Sequence, residues 1–205
     1  MKSYLTEFIG TFFLVLTIGL AGGLPDGALA IGGVLMVMVF MGGHISGAHY
    51  NPAVSLAVLI RGKMAAKDLI PYWVAQIAAA VAAALLVRYL FVGTAQFTAD
   101  IPAGKLMVAL LNEFLFTFGL ALVVLNVATA KGTSGNSFYG LAIGFTVVAA
   151  AIAGVRFSKG AYNPAVGIGL ILIGVPMKLI WLYLVGPLAG GAVAAVVFKV
   201  QNPEG

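Results

Sequence analysis

The sequence contains no cysteine and very little charge. Without thiols there is no disulfide framework, no zinc–thiolate site and no thiol chemistry. Eleven basic and six acidic residues make up only 8% of the 205, where a soluble domain carries about 25%. So few charges could not cover the surface of a water-soluble globule, which excludes a cytosolic enzyme, a nucleic-acid binder and a disordered scaffold. Histidine is scarce as well: His44 and His49 are the only two, both in one early stretch. A membrane-embedded hydrolase built on Ser/His/Asp or on a metal therefore lacks its parts, and no third ligand stands near the pair to make a metal site.

What the sequence does have is apolar mass, at 62% hydrophobic residues and a mean hydropathy of +1.10. That is the composition of an integral membrane protein facing lipid over most of its surface. A bilayer core about 30 Å thick takes about 20 residues per helical span, so 205 residues allow six spans with short loops. Twenty-seven glycines suit helices that pack backbone to backbone through small residues. The net charge of +5 is spread singly along the loops, as topology signals and lipid-headgroup contacts rather than a nucleic-acid surface.

Turn signals divide the chain into six long apolar blocks, at about 4–24, 28–41, 69–92, 106–130, 138–155 and 177–198. Two short runs, 53–60 and 165–173, are too brief to cross a bilayer. Polar stretches at 94–104 and 131–137 read as loops, as does the Gly-rich segment 42–50 that holds both histidines. Residues 1–23 have the outline of a signal peptide, but Glu7 near the start and the absence of a following soluble domain favour a retained span.

The two short runs share their lead-in: Asn51-Pro52-Ala53-Val54 and Asn163-Pro164-Ala165-Val166. Tyr50 and Tyr162 precede them at the same separation of 112 residues, and Gly62 matches Gly174. Glu7-Phe8 recurs as Glu113-Phe114. The chain thus reads as one channel domain, 1–205, made of two repeats at about 1–100 and 105–205. Each repeat has three spans and one short segment, and an odd span count turns the second copy upside down. The expected fold is an all-α membrane protein with six transmembrane helices and two re-entrant half-helices dipping in from opposite faces.

Asn-Pro-Ala ahead of an apolar run reads as a helix start, because Asn is a favoured N-cap and Pro a favoured first helical residue. Polar backbone at membrane depth is tolerated only when buried in protein or lining a water-filled cavity. Two half-helices starting at mid-membrane would aim the positive ends of both dipoles at one point, with the Asn51 and Asn163 amides beside it. Such a site takes neutral oxygen-bearing solutes and opposes cations.

With Gly43-His44-Ile45-Ser46-Gly47-Ala48-His49-Tyr50-Asn51-Pro52-Ala53-Val54 on the page, the chain resembles the major intrinsic protein family, the aquaporins and aquaglyceroporins, over essentially its whole length. The resemblance implies one pore per subunit, a homotetramer in the cell membrane, both termini in the cytoplasm and no cofactor. The loop charges do little for that orientation: six basic residues on the terminus-bearing side face five on the other. The resemblance further implies that Glu7 and Glu113 brace the re-entrant loops by accepting backbone hydrogen bonds, although membrane-buried carboxylates can also relay protons or ions. His49 reads as a loop brace or as pore lining.

The chain departs from the family at its narrowest point. Most members follow the second Asn-Pro-Ala with Arg, where Val166 stands here. The other three constriction positions fall on Ile31, Ala151 and Gly160. This filter is apolar and lacks both the Arg and the His of water-selective relatives, which points to bulkier neutral solutes such as glycerol, urea or undissociated metalloid acids such as arsenite. Arg156 and Lys159 stand in the loop before the second Asn-Pro-Ala; either both snorkel to headgroups, or Arg156 reaches over the mouth and supplies the missing positive charge. The alternative function is a coupled secondary transporter, since inverted repeats and interrupted helices also mark those folds.

Overall fold

The computed structural model describes residues 1–91 and 100–203. In chain order the helices are α1 (Lys2–Ala21), α2 (Gly27–Ser46), α3 (Pro52–Arg61), α4 (Ala66–Leu90), α5 (Leu106–Thr129), α6 (Tyr139–Ser158), α7 (Pro164–Ile173) and α8 (Ile180–Gln201). Six of them are long and apolar enough to cross a membrane; a 20-residue helix spans about 30 Å at 1.5 Å per residue. At 10 residues each, α3 and α7 cover half that depth. Short 3₁₀ turns at Ala103–Lys105 and Met177–Leu179 lead into α5 and α8.

Following the chain, α1 and α2 form an antiparallel pair, and the segment after Ser46 turns back into the bundle. From there α3 runs back out to the face that bears the N terminus. The second half repeats this path from the opposite face. The contacts between helices obey the same exchange. The α1–α4 packing is matched by α5–α8, α1–α2 by α5–α6, and α3–α8 by α7–α4, while α2 meets α6 across the centre.

Small residues make these approaches close. Where α2 crosses α6, a Cβ on Gly32 would lie 2.5 Å from the Gly144 carbonyl oxygen, and one on Gly144 would lie 2.6 Å from that of Gly32. Ala79, Ala80, Ala83 and Ala84 give α4 a buried, nearly side-chain-free face, whereas Leu29, Val74, Leu115, Ile152 and Val196 point outward. Without a hydrophobic force between helices in lipid, close van der Waals packing of this kind holds the bundle together.

Two boundaries differ from the sequence reading. Helix α2 continues through Gly42-Gly43 to Ser46, so His44 lies in its last turn and not in a loop. Glycine does not break the helix there because α2 is packed on that side: the Gly42 Cα sits against the Tyr50 hydroxyl and Thr6. The expected 94–104 loop falls partly outside the described residues, and its end forms the Ala103–Lys105 turn.

Candidate functional site

Each half-helix begins as its sequence dictates. Asn51 is extended (φ −156°, ψ 121°), and its side-chain oxygen accepts from the Ala53 amide at 2.8 Å, with Pro52 in the first turn. Asn163 (φ −164°, ψ 118°) accepts from Ala165 at 2.9 Å and from Val166 at 3.4 Å. The caps satisfy amides that a helix start otherwise leaves open.

The other end of each Asn side chain reaches across the molecule. Asn51 Nδ2 donates to the Tyr162 carbonyl at 2.9 Å, and Asn163 Nδ2 donates to the Tyr50 carbonyl at 2.8 Å. A primary amide carries two N–H donors. One on each Asn is thus spent on the opposite half, and one on each remains for a solute. This halves the donor set expected from sequence, and it fixes the direction in which the remaining donor can point.

The loops that present these residues are held by two buried carboxylates. Glu7 Oε1 accepts from the His49 amide at 2.9 Å and the Ser46 hydroxyl at 2.7 Å; Oε2 accepts from the Tyr50 amide at 2.6 Å and from Gln76 Nε2 at 2.9 Å. Glu113 Oε1 accepts from the Ala161 amide at 2.9 Å and the Ser158 hydroxyl at 2.5 Å, and Oε2 from the Tyr162 amide at 2.6 Å. Two backbone amides and a serine hydroxyl converge on each carboxyl group. They hold Tyr50 and Tyr162 at φ 51° and 50°, a left-handed backbone that bulky residues rarely adopt. The tyrosine hydroxyls in turn donate to the carbonyls of Met38 and Ala150, at 2.9 and 3.0 Å. Tyr72 and Tyr183 donate to the carbonyls of Ser46 and Ser158, at 2.7 and 2.8 Å.

Several of these parts went unnoticed in sequence. Tyr72, Tyr183 and Gln76 lie inside apolar blocks where a single hydroxyl or amide carries no periodic signal, and Ser46 and Ser158 lie in the polar interruptions ahead of the two Asn-Pro-Ala motifs. The signal that could have found the serines is their spacing, which is the same 112 residues that separates the tyrosines.

The half-helix starts face a narrow cavity of about 70 Å³. Asn51 and Asn163 line it, together with Tyr50 and Tyr162. So do Ile31, Ala151, Gly160 and Val166, the four positions expected at the constriction. Leu14, Leu35, Leu120 and Ile143 complete walls that are mostly apolar. His49 also lines it; its Nδ1 lies 3.1 Å from the Ser55 hydroxyl, and its ring packs against Tyr72. Arg156 does not line this cavity. Its guanidinium lies 4.7 Å from the centre of the Phe157 ring and borders a separate outer pocket, whereas Lys159 lines both.

The arrangement of six spans and two half-helices meeting at one cavity has counterparts. The sequence profile described as "Major intrinsic protein" matches residues 1–198. The chain belongs to the major intrinsic protein family. Among curated members, it is 36% identical over 218 residues to "Glycerol uptake facilitator protein-like 6" of Lactiplantibacillus plantarum, covering all of both chains. It is 33% identical to "Aquaporin Z" of Brucella melitensis, covering 94% of each. Among solved structures, the aquaglyceroporin from Plasmodium falciparum superimposes with a TM-score of 0.85, at 23% identity, over 98% of this chain and 97% of that one. Membership in the family makes this a multi-pass membrane channel and not an enzyme.

Proposed function

We propose that the chain conducts small uncharged solutes passively, water, glycerol, urea and undissociated metalloid acids among them. The Asn51 and Asn163 amides and the two half-helix N-termini serve as its central recognition point. One observation supports this above the rest. The cavity walls are mostly apolar, the two Asn amides meet across it, and each amide is pinned by the opposite half so that one N–H stays available. A solute oxygen passing that point regains a hydrogen bond that the walls cannot offer, and a cation finds only positive dipole ends.

Ile31, Ala151, Gly160 and Val166 act as the selectivity filter in this reading. With Val166 in place of a cation and Gly160 without a side chain, the filter discriminates by size more than by hydrogen bonding. Glu7, Glu113 and His49 brace the loops. Both glutamates accept from the backbone and serine donors of their loops, which supports bracing over ion relay. The expected assembly is a homotetramer in the cell membrane with one pore per subunit and both termini cytoplasmic.

The test is a permeability series over water, glycerol, urea and arsenite in proteoliposomes. Flux should rise linearly with solute concentration and ignore ion gradients. Saturation together with dependence on an ion gradient would establish the coupled transporter instead. Val166→Arg should reduce glycerol flux more than water flux. An equal loss of both would mean that Val166 does not stand at the constriction.

A further inference from the structure

We propose that Lys159 is the fixed positive charge at the outer mouth of the pore, and that it bars small cations there in place of the arginine that Val166 lacks. This rests on the channel reading above. Among the described residues that line the cavity, Lys159 is the only Lys, Arg, Asp or Glu. It is the neighbour of Gly160, one of the four constriction positions, and lies four residues ahead of Asn163. It also borders the outer pocket shared by Lys105 and Arg156, so it stands where that pocket meets the pore.

Its backbone marks it out. Lys159 closes α6 with φ 71°, and its amide donates to the Val155 carbonyl at 2.9 Å. The position 112 residues earlier is Gly47, which closes α2 with φ 84°. Glycine adopts that conformation without steric cost and lysine does not. The first half has glycine at this point; the second keeps a strained lysine, bordering both the cavity and the outer pocket.

Among the described residues no carboxylate pairs with it, although Asp100 borders the same outer pocket. Glu7 and Glu113 are fully buried and taken up by the loops. Asp68 accepts from Tyr4 on the terminus-bearing face, and Asp100 is held by Lys178 at 2.5 Å. Asp26 is exposed at the start of α2 and does not line the cavity. An unpaired ammonium in a vestibule of low dielectric repels a cation far more strongly than it would in bulk water. The half-helix dipoles behind it act in the same sense.

The experiment compares wild type with Lys159→Asn, Lys159→Gly, Lys159→Arg and Arg156→Asn in proteoliposomes, reading proton and sodium conductance at low and high ionic strength. Asn tolerates the left-handed backbone and Gly relieves it, so at least one neutral variant should fold; monodispersity and melting in detergent check this. Lys159→Asn and Lys159→Gly should leak at least tenfold more than wild type. The difference from wild type should shrink at high salt, because the wild-type barrier is screened. Lys159→Arg and Arg156→Asn should stay tight. The proposal is overturned if both neutral Lys159 variants stay tight, if Lys159→Arg leaks as they do, or if Arg156→Asn leaks equally. A wild type that passes no neutral solute would instead count against the channel reading, independently of these leaks.

Discussion

The loops held by Glu7 and by Glu113 have the same shape and different supports. Glu7 collects four donors and Glu113 three. The common core is two consecutive backbone amides and one serine hydroxyl. The first half adds Gln76, which also donates to Ser55 at 3.0 Å, and Ser55 lies against His49. The second half has Ala161 and Gly167 where His49 and Ser55 stand, and Gly167 is required there because a Cβ would lie 2.3 Å from that of Tyr183. The carboxylate and its three shared donors are therefore enough to hold a re-entrant loop. Of the extra polar set in the first half, His49 reaches the cavity wall, where the second half has Ala161 at the matching place. The structural requirement is symmetric; the chemistry of the passage is not.

The largest expected effect comes from removing the carboxylates. Each buried donor left without a partner costs about 1–3 kcal/mol, so Glu7→Ala and Glu113→Ala should both lower the melting temperature in detergent severely. Glu7→Ala should be the worse of the two, with four donors orphaned rather than three. The reverse order would show that the donor count does not decide loop stability.

Next come the glycines beneath the tyrosines. A Cβ on Gly154 would lie 2.1 Å from the Tyr162 hydroxyl, 2.7 Å from Asn112 Oδ1 and 2.9 Å from the Phe116 ring; on Gly42 it would meet the Tyr50 hydroxyl at 1.9 Å and the Thr6 methyl at 2.6 Å. Overpacking of this kind costs about 1–3 kcal/mol. Asn112 is fixed by bonds to Gly154, Ser158 and Tyr162, so Gly154→Ala should lose more stability and more flux than Gly42→Ala. Comparable losses would mean that the tyrosine contact alone sets the cost.

The paired asparagines should differ by less. Replacing either by Leu removes a donor to the solute, worth about 1–3 kcal/mol, and flux should fall about tenfold or more in both. Asn163 caps two amides and Asn51 one, so Asn163→Leu should melt slightly lower, within the roughly 0.5–2 kcal/mol of a lost N-cap. Unchanged flux in both variants would remove the Asn pair from the recognition point.

The smallest effect is at the surface. Lys178, bonded to Asp100, holds its carboxyl below the usual carboxylate range. Stability from that pair is present at neutral pH and is lost as pH falls through the lowered pKa. Both side chains are about half exposed or more, and exposed pairs contribute little. Asp100→Asn should melt with wild type at neutral pH, and any gap should close on acidification.

Much of this was legible in the sequence because membrane burial writes plainly. Six long apolar blocks and two short ones became six long and two short helices, the second block reaching span length only by running on through Gly42-Gly43. Asn-Pro became an N-cap and first turn, since the capping chemistry is local. Glu7 and Glu113 stood out because carboxylates are rare in apolar blocks. Harder to see was anything that depends on which way a side chain turns at a helix end. Gly42-Gly43 looked like a break, yet the helix continues because Tyr50 fills the space against it. Arg156 was the expected outer-mouth charge, but it lies within the last turn of α6 with its guanidinium over Phe157, whereas Lys159, at the left-handed end of that helix, borders the cavity. Bonds between halves, such as Asn51 to Tyr162, leave no mark on either segment alone.

Those crossed bonds have a consequence for how the molecule comes together. Asn51 and Tyr162 lie 111 residues apart, and Asn163 and Tyr50 lie 113 apart. Each half can form its spans, cap its half-helix and engage its glutamate from its own residues. Neither can satisfy the tyrosine carbonyl or aim its asparagine until the other half has docked. Closing such distant contacts is slow because the intervening chain must be ordered first. Each half-helix also lies against a span of the other half, α3 on α8 and α7 on α4, so the centre of the passage is the last part of the molecule to be finished.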